Sequence, residues 1–350
     1  MTEAPIDCRS DLVARPSEEM IAAMTAALRE PAAFGLREDP RQRALERRLA
    51  DRLGTEDALL FPTCTMANEA AILAQTRPGD VLLADESSHV LTSEAGAPAA
   101  LAGVLPRTLP GHDGQIDLAA LQRGLAAPSD ELRSPVSLIV LENTHNRSGG
   151  ACLPIAYCSA VGDLAAAAGV PVHLDGARLW NAAVALGCSA GAVAEHATTV
   201  AVSLNKGLCA PLGAVLAGPA PVIIAAGRIR QRLGGGLRPT GFIAAAGLVA
   251  LDTMVDGLAE DHANAAVVAA ALARIDGLTV TMPEPVTNIV LVAISPHLGT
   301  VADFLQHLES RGVLALPFGI RALRLVFHRD IGRDDLPRLI EAVSATAREA

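Results

Sequence analysis

Lysine is almost missing from this chain of 350 residues: Lys206 is the only one, and every other member of the Lys+Arg total of 28 is arginine. A general supply of surface cations therefore does not explain why this amine was kept. Aromatic residues are scarce too, at 2%, so a core drawn from the 51% hydrophobic content must be built of Ala, Val, Leu and Ile. No apolar run reaches the roughly 20 residues of a membrane span. The positive mean hydropathy comes instead from alanine-rich segments such as Leu164 to Ala168 and Ala265 to Ala273. The six cysteines (Cys8, Cys64, Cys152, Cys158, Cys188 and Cys209) show no CxxC spacing and no tight pairing with histidine. Free thiols are expected, with neither disulfides nor a metal site. Positive charge is short as well, and a net charge of -10 argues against a nucleic-acid partner. Met1 to Asp7 has no basic stretch leading into an apolar one, so no export signal is read and a cytoplasmic location is the default expectation.

What is present has a clear order. The length exceeds one compact core, and two domains are expected behind an arm: an arm and helix over 1–40, a large domain over 41–256 and a small α+β domain over 257–350. A helix opens near Pro16-Ser17, and Arg41 to Leu53 reads as a solvated helix. Apolar runs at 58–61, 81–84, 136–141, 170–174, 199–204 and 214–216 read as strands. Helical stretches around 66–75, 88–95, 117–126, 155–168 and 219–231 alternate with them. Such alternation predicts an α/β fold with a mostly parallel sheet covered on both faces. The last run follows its predecessor too closely for a crossover helix and is predicted antiparallel. Long helices over 238–273, a strand near 288–294, a helix over 301–310, a strand over 321–327 and a closing helix near 334–348 complete the pattern.

The chain is organised around residues 173 to 213. Asp175 ends one apolar run and Lys206 closely follows another, which places both at the carboxyl ends of parallel strands, where an open α/β sheet holds its ligand. A lysine there can form a Schiff base with a carbonyl compound, and a nearby carboxylate can keep a pyridinium nitrogen protonated. Together they describe a site for pyridoxal 5′-phosphate. Taken singly, each has an ordinary use as a helix cap or a wet loop residue.

The segments His173-Leu174-Asp175-Gly176-Ala177-Arg178 and Ser203-Leu204-Asn205-Lys206-Gly207, followed by Pro211-Leu212-Gly213, resemble the two active-site signatures of the low-specificity L-threonine aldolases, fold-type-I enzymes that use this coenzyme. The resemblance extends through Ile6 to Asp11, Leu60 to Asn68, Leu141 to Asn146, Gly234 to Arg238 and Leu323 to Val326, nearly the whole chain. It implies a large domain with a seven-stranded type of sheet and a small C-terminal domain. It implies cleavage of threonine, allo-threonine or another β-hydroxy-α-amino acid to glycine and an aldehyde by a homo-oligomer, a dimer or a dimer of dimers (a homotetramer).

By the same resemblance, Lys206, Asp175, His89 and His145 form the catalytic set, with His89 stacked on the coenzyme ring and either histidine open as the base. Thr63, Cys64 and Thr65, set between a strand and a helix, would cradle the phosphate, as helix amino ends do. Ser203 and Arg178 would also hold the coenzyme, and Arg238 would reach it from a neighbouring subunit. Ser10, Arg178, Arg324 and His145 would face the substrate, its carboxylate calling for a two-pronged arginine. Arg321 competes with Arg324 for that role, and for Arg178 alone a helix cap is the simpler use.

Close rivals on the same parts are a β-eliminating lyase and an amino-acid racemase. A rival of another class is a binding module that has lost catalysis. It is motivated by departures from the family: Cys64 for glycine, Asn205 for serine, Phe34 for tyrosine and Gln231 at a position often basic. His112, His196 and His262 are expected to be solvated, and His173 to serve packing.

Overall fold

The structure is a computed structural model that describes residues 4–126 and 130–349, so the first three residues of the expected arm lie outside it. Seven strands form the large sheet: β1 (Asp57–Phe61), β2 (Val81–Asp85), β3 (Leu105–Leu109), β4 (Val136–Glu142), β5 (Val172–Gly176), β6 (Thr199–Ser203) and β7 (Ala214–Gly218), in spatial order β1-β7-β6-β5-β4-β2-β3. Neighbours from β6 through β3 pair in parallel, while β7 runs antiparallel to both β6 and β1, as its short connection requires.

Strand periodicity decides what each face of this sheet meets. Ala58, Leu60, Val81, Leu83, Ile139, Leu141, Val172, Leu174, Val200, Val202, Val215 and Ala217 join one large core, together with α1 (Glu18–Leu28), α2 (Pro40–Leu53) and the helices Ile155–Ala168 and Gly241–Thr253. On the opposite face Leu59, Phe61, Ala201 and Leu216 pack beneath α3 (Cys64–Gln75) and the helix Ala220–Arg232. The residues of β5 that alternate onto this face are His173 and Asp175. The strand that delivers Asp175 to its site thus also puts a buried histidine beneath α3, whose small residues Ala67, Ala70 and Ala71 let it lie close to the sheet.

A four-stranded antiparallel sheet, β8 (Leu278–Thr281), β9 (Ile289–Ile294), β10 (Leu316–Phe318) and β11 (Ala322–Val326), has the order β8-β9-β11-β10 and packs with the helices Val301–Ser310 and Leu336–Glu349. The helix Leu258–Leu272 joins the two halves: Leu258 lies in the first core, and Ala265, Val268 and Leu272 lie in the second. The amino-terminal arm runs the other way, with Ile6–Asp7 pairing with Val313–Leu314 in the small half before Met20 enters the large core.

Several local expectations change. The edge strand β3 contains Pro106, which is tolerated only where no inner neighbour needs its N–H. The helix expected over 88–95 is the short turn His89–Thr92. A five-residue π-helical turn, Pro98–Ala102, follows after left-handed Ala95 and Gly96. Helix α3 begins at Cys64 with Thr63 as its cap, so the expected phosphate loop is a helical first turn. Helix α2 is not solvated all round: Gln42, Leu45, Glu46, Leu49 and Leu53 are buried. His262 is buried as well, accepting from Asn181 at 3.1 Å, and burial pushes its pKa down to about 4.

Candidate active site

Lys206 follows β6 on a tight turn. Leu204 N–H bonds Gly213 O at 2.9 Å, Cys209 N–H bonds Lys206 O at 2.8 Å, and Ala210 N–H bonds Leu204 O at 2.9 Å. Cys209 takes a left-handed φ of 58° to close the turn. A residue larger than Gly207 would have to displace the Leu258 side chain, because a Cβ there would lie 2.7 Å from Leu258 Cδ2 and 3.1 Å from Asn181 Oδ1. The half-buried amine is thus held by a packed turn, close enough to Asp11, Cys64 and His89 to bias their ionisation.

Asp175 stands on the neighbouring strand and is 2% exposed. Its Oδ2 accepts from Asn68 Nδ2 at 2.9 Å, its Oδ1 accepts from Ala177 N–H at 3.1 Å, and Cys64 Sγ lies 4.0 Å from Oδ1. Asn68 is the hub of a buried chain. Its Nδ2 also reaches Glu94 Oε1 at 2.9 Å, and its Oδ1 lies 3.1 Å from His173 Nε2, whose Nδ1 meets Thr199 Oγ1 at 2.9 Å. His173 therefore does more than pack: it orients the amide that orients Asp175. Burial pushes its pKa down to about 4, so it is neutral in this chain.

The two candidate histidines are placed differently. The His89 side chain is 27% exposed; its Nδ1 lies 2.9 Å from Glu94 Oε1 and 3.8 Å from Asp175 Oδ2. Burial lowers its pKa, but the Glu94 bond and the Asp175 charge outweigh this and raise it above the usual value. The His145 side chain is fully buried, with Nδ1 2.9 Å from Ser148 Oγ and Nε2 3.4 Å from Asp85 Oδ1. Glu142 joins the two segments: Oε2 accepts from the His89 N–H at 2.7 Å and Oε1 from the Asn146 N–H at 2.8 Å.

Arg178 and Arg324 converge on Asn146, whose Oδ1 accepts from Arg324 Nη1 at 2.8 Å and from Arg178 Nη1 at 3.3 Å. Their remaining donors differ. Arg178, 5% exposed, grips Asp11 with Nε and Nη2, both at 2.7 Å. Burial alone would raise the Asp11 carboxyl, yet the Arg178 charge and bonds hold it down at about 2. Arg324 Nη2 reaches only the Arg9 carbonyl at 3.3 Å, and its buried Nε has no acceptor among the described residues. Burial and the charge of Arg178 lower its pKa to about 10. The fork left open for a carboxylate is therefore that of Arg324. Arg178 is a buried fastener already carrying one. Arg321, the competitor, bonds the carbonyls of Gly299 and Ile294, each at 3.0 Å, in the small half.

The remaining predicted residues have local roles. Thr63 Oγ1 caps α3 by accepting from Met66 N–H at 3.1 Å, leaving the first-turn N–H groups of Cys64 and Thr65 for an outside anion. Burial raises the Cys64 thiol well above its ordinary pKa and keeps it neutral. Ser203 donates to Asn205 Oδ1 at 2.7 Å, and Ser10 accepts from Leu12 N–H at 3.2 Å. Arg238 is exposed over the Phe34 ring, 5.4 Å from its centroid, and its only hydrogen bond within the described residues goes to Phe34 O.

Single-residue reasoning passed over Asp11, Asn68, Glu69, Glu94, Glu142 and Asn146. Asp11, Asn68, Glu142 and Asn146 lie in the segments that carry the family resemblance, whereas Glu69 and Glu94 lie outside them.

The chain is also similar to known proteins over most of its length. The model of the beta-eliminating lyase family matches residues 7–295. A probable low-specificity L-threonine aldolase 2 of Arabidopsis thaliana is 39% identical over 337 residues, 95% of this chain and 94% of that protein. The low specificity L-threonine aldolase of Escherichia coli K12 is 35% identical over 332 residues, 95% of this chain and 96% of that protein. The solved threonine aldolase of Leishmania major superposes with a TM-score of 0.83 at 18% identity, covering 98% of this chain and all of that one, which supports the fold. A lone lysine and a buried aspartate at adjoining strand ends, on a chain alike over nearly its full length to these relatives, belong together: the chain is a member of the beta-eliminating lyase family and is similar, within it, to the low-specificity L-threonine aldolases.

Proposed function

We propose that this protein is a pyridoxal-phosphate-dependent aldolase that cleaves L-threonine, L-allo-threonine or a related β-hydroxy-α-amino acid to glycine and an aldehyde. The observation that carries this reading is a set of charges awaiting partners. Among the described residues buried Asp175 has no lysine or arginine bonded to it and the buried Nε of Arg324 lacks an acceptor, while the neighbouring strand end delivers Lys206. These groups fit the coenzyme. Lys206 would hold its aldehyde carbon, Asp175 its ring nitrogen, His89 its ring face, and the first-turn N–H groups of Cys64 and Thr65 its phosphate. When bound, the coenzyme supplies a sink for the electron pair released at Cα.

The chain's own residues do the rest. Arg324 clamps the substrate carboxylate in two-pronged fashion and so sets which bond at Cα is presented for cleavage. The partial exposure of His89, against the full burial of His145, supports His89 Nε2 as the atom that takes the proton from the β-hydroxyl, because Glu94 occupies Nδ1. Lys206 then returns a proton to the glycine carbon.

The exposed Phe34 (84%), Leu28 and Ile224, with Arg238 beside Phe34, support a homo-oligomer, a dimer or a dimer of dimers, in which Arg238 serves a partner's site. Six free cysteines suit a reducing cytoplasm.

The test is incubation with L-threonine, L-allo-threonine, phenylserine and serine. Glycine plus the matching aldehyde is the expected outcome. Ammonia plus the matching 2-oxo acid (pyruvate from serine, 2-oxobutyrate from threonine) would replace the aldolase with an eliminating lyase, scrambled Cα configuration with a racemase, and no turnover by coenzyme-loaded protein with a binding module.

A further inference from the structure

Helix α3 buries six consecutive residues, Ala67 to Ile72, and one of them is an acid. Glu69 is 2% exposed, and neither of its carboxyl oxygens has a donor among the described residues. The group it faces is another carboxyl, that of Glu94, close enough for a hydrogen bond between them. Glu94 Oε1 is engaged by Asn68 Nδ2 and faces His89 Nδ1, each at 2.9 Å, while its Oε2 is likewise without a donor. Three buried carboxyl oxygens, two on Glu69 and one on Glu94, thus have no N–H or O–H partner among the described residues. Two bare carboxylates in this position would repel each other with Glu69 left without any donor, whereas one proton between them satisfies the contact.

We propose that Glu69 and Glu94 hold a single proton between them at neutral pH, and that this carboxylic acid–carboxylate pair is a positioning device for His89. With the proton on Glu69, Glu94 keeps its charge and accepts the Nδ1–H of His89. That fixes the imidazole tautomer and leaves Nε2, on the partly exposed ring, as the proton acceptor. Burial first, and the Glu94 charge second, raise Glu69 to about 8, in keeping with a proton that stays through neutrality. The other titratable groups near this pair and its histidine, among the described residues, are Asp175 from β5, Cys64 from α3, Glu142 at the end of β4, and Lys206, with His173 behind Asn68. None of them offers a donor to the free oxygens of Glu69. The effect on turnover rests on the aldolase reading; the proton does not, and it is measured on coenzyme-free protein.

Infrared difference spectroscopy of the coenzyme-free protein at pH 7 against pH 9 reads the proton directly. A protonated carboxyl band at pH 7 that fades with a midpoint near 8, and is absent from Glu69→Gln, is the expected result. A wild-type spectrum without a band that fades near 8, or one in which that band is unchanged in Glu69→Gln, overturns the proposal. Asp261, which burial raises to about 7, adds a band of its own, so the titration is recorded in an Asp261→Asn background, where the Glu69 band decides the matter even if Glu69→Gln does not fold.

Turnover supplies a second readout. Glu69→Leu, which offers Glu94 no donor, should lower kcat by about tenfold with KM within about twofold, and Glu69→Gln, which keeps a donor, should restore most of it and lose the change in kcat near pH 8. Equal kcat–pH profiles in all three proteins would show that His89 is not positioned this way. A wild type without any turnover would count against the aldolase reading and leave the infrared result standing.

Discussion

Asp11→Asn tests the buried fastener between the amino-terminal arm and the large sheet. Its product is an Arg178 guanidinium, 5% exposed, facing one amide oxygen instead of a two-pronged carboxylate. Removing one partner of a buried ion pair costs about 3–5 kcal/mol. The remaining amide oxygen still accepts one bond, which places the expected loss near the lower figure, about 3 kcal/mol. The pKa gives an independent scale. A carboxyl held at about 2 against an ordinary 3.8 corresponds to about 2 kcal/mol at about 1.4 kcal/mol per pH unit.

Because the folded value is depressed, that stability is present in full above pH 3.8 and is lost as the pH falls from there towards 2. The gap between wild type and variant should therefore hold from pH 7 to about 4 and close below it. Urea unfolding of coenzyme-free proteins, followed by circular dichroism, measures the loss. Arg178→Gln and the double variant complete a cycle in which the double change costs less than the sum of the singles by about 1–3 kcal/mol. A loss below about 1 kcal/mol for Asp11→Asn with strictly additive costs would refute the reasoning. Asp11 also accepts from Asn288 Nδ2 at 3.4 Å, and the arm supplies the Arg9 carbonyl to Arg324, so KM for the amino acid should rise as well.

Two further substitutions address the chemistry. Lys206→Ala should abolish turnover and the visible absorbance that wild type gains with pyridoxal phosphate; a variant that keeps both would remove the central amine from the mechanism. Arg324→Lys replaces a planar fork by a point charge and should raise KM by about tenfold, about 1.4 kcal/mol, with a smaller change in kcat. An unchanged KM would move the carboxylate site elsewhere.

Much of the architecture was legible from period and order. The apolar runs that became β1, β2 and β4 to β7 alternate with helical segments, and the short link before Ala214 required an antiparallel strand. The strand containing Pro106 was not legible, because an edge strand needs neither an apolar run nor a full set of N–H donors. Nor was the burial of α2, whose charges read as solvated: Glu46 is in fact buried where it accepts the Leu60 N–H at 3.0 Å and pairs with Arg37.

The sequence by itself determined that a lone amine and an acid stand at the carboxyl ends of two parallel strands, since local periodicity places strand ends; that those strands are neighbours was decided by the order of the sheet. Only the tertiary structure decided which arginine is free to take a substrate and which is already bound. Asp11 and Arg178 are 167 positions apart, and Arg324 and Asn146 are 178 apart. The same holds for the chain from Asp175 through Asn68 to Glu94 and the carboxyl pair beneath His89. These groups lie on separate strands, helices and turns, and no spacing rule along the chain connects them; their pairing and charge are set by the burial that folding imposes on all of them together.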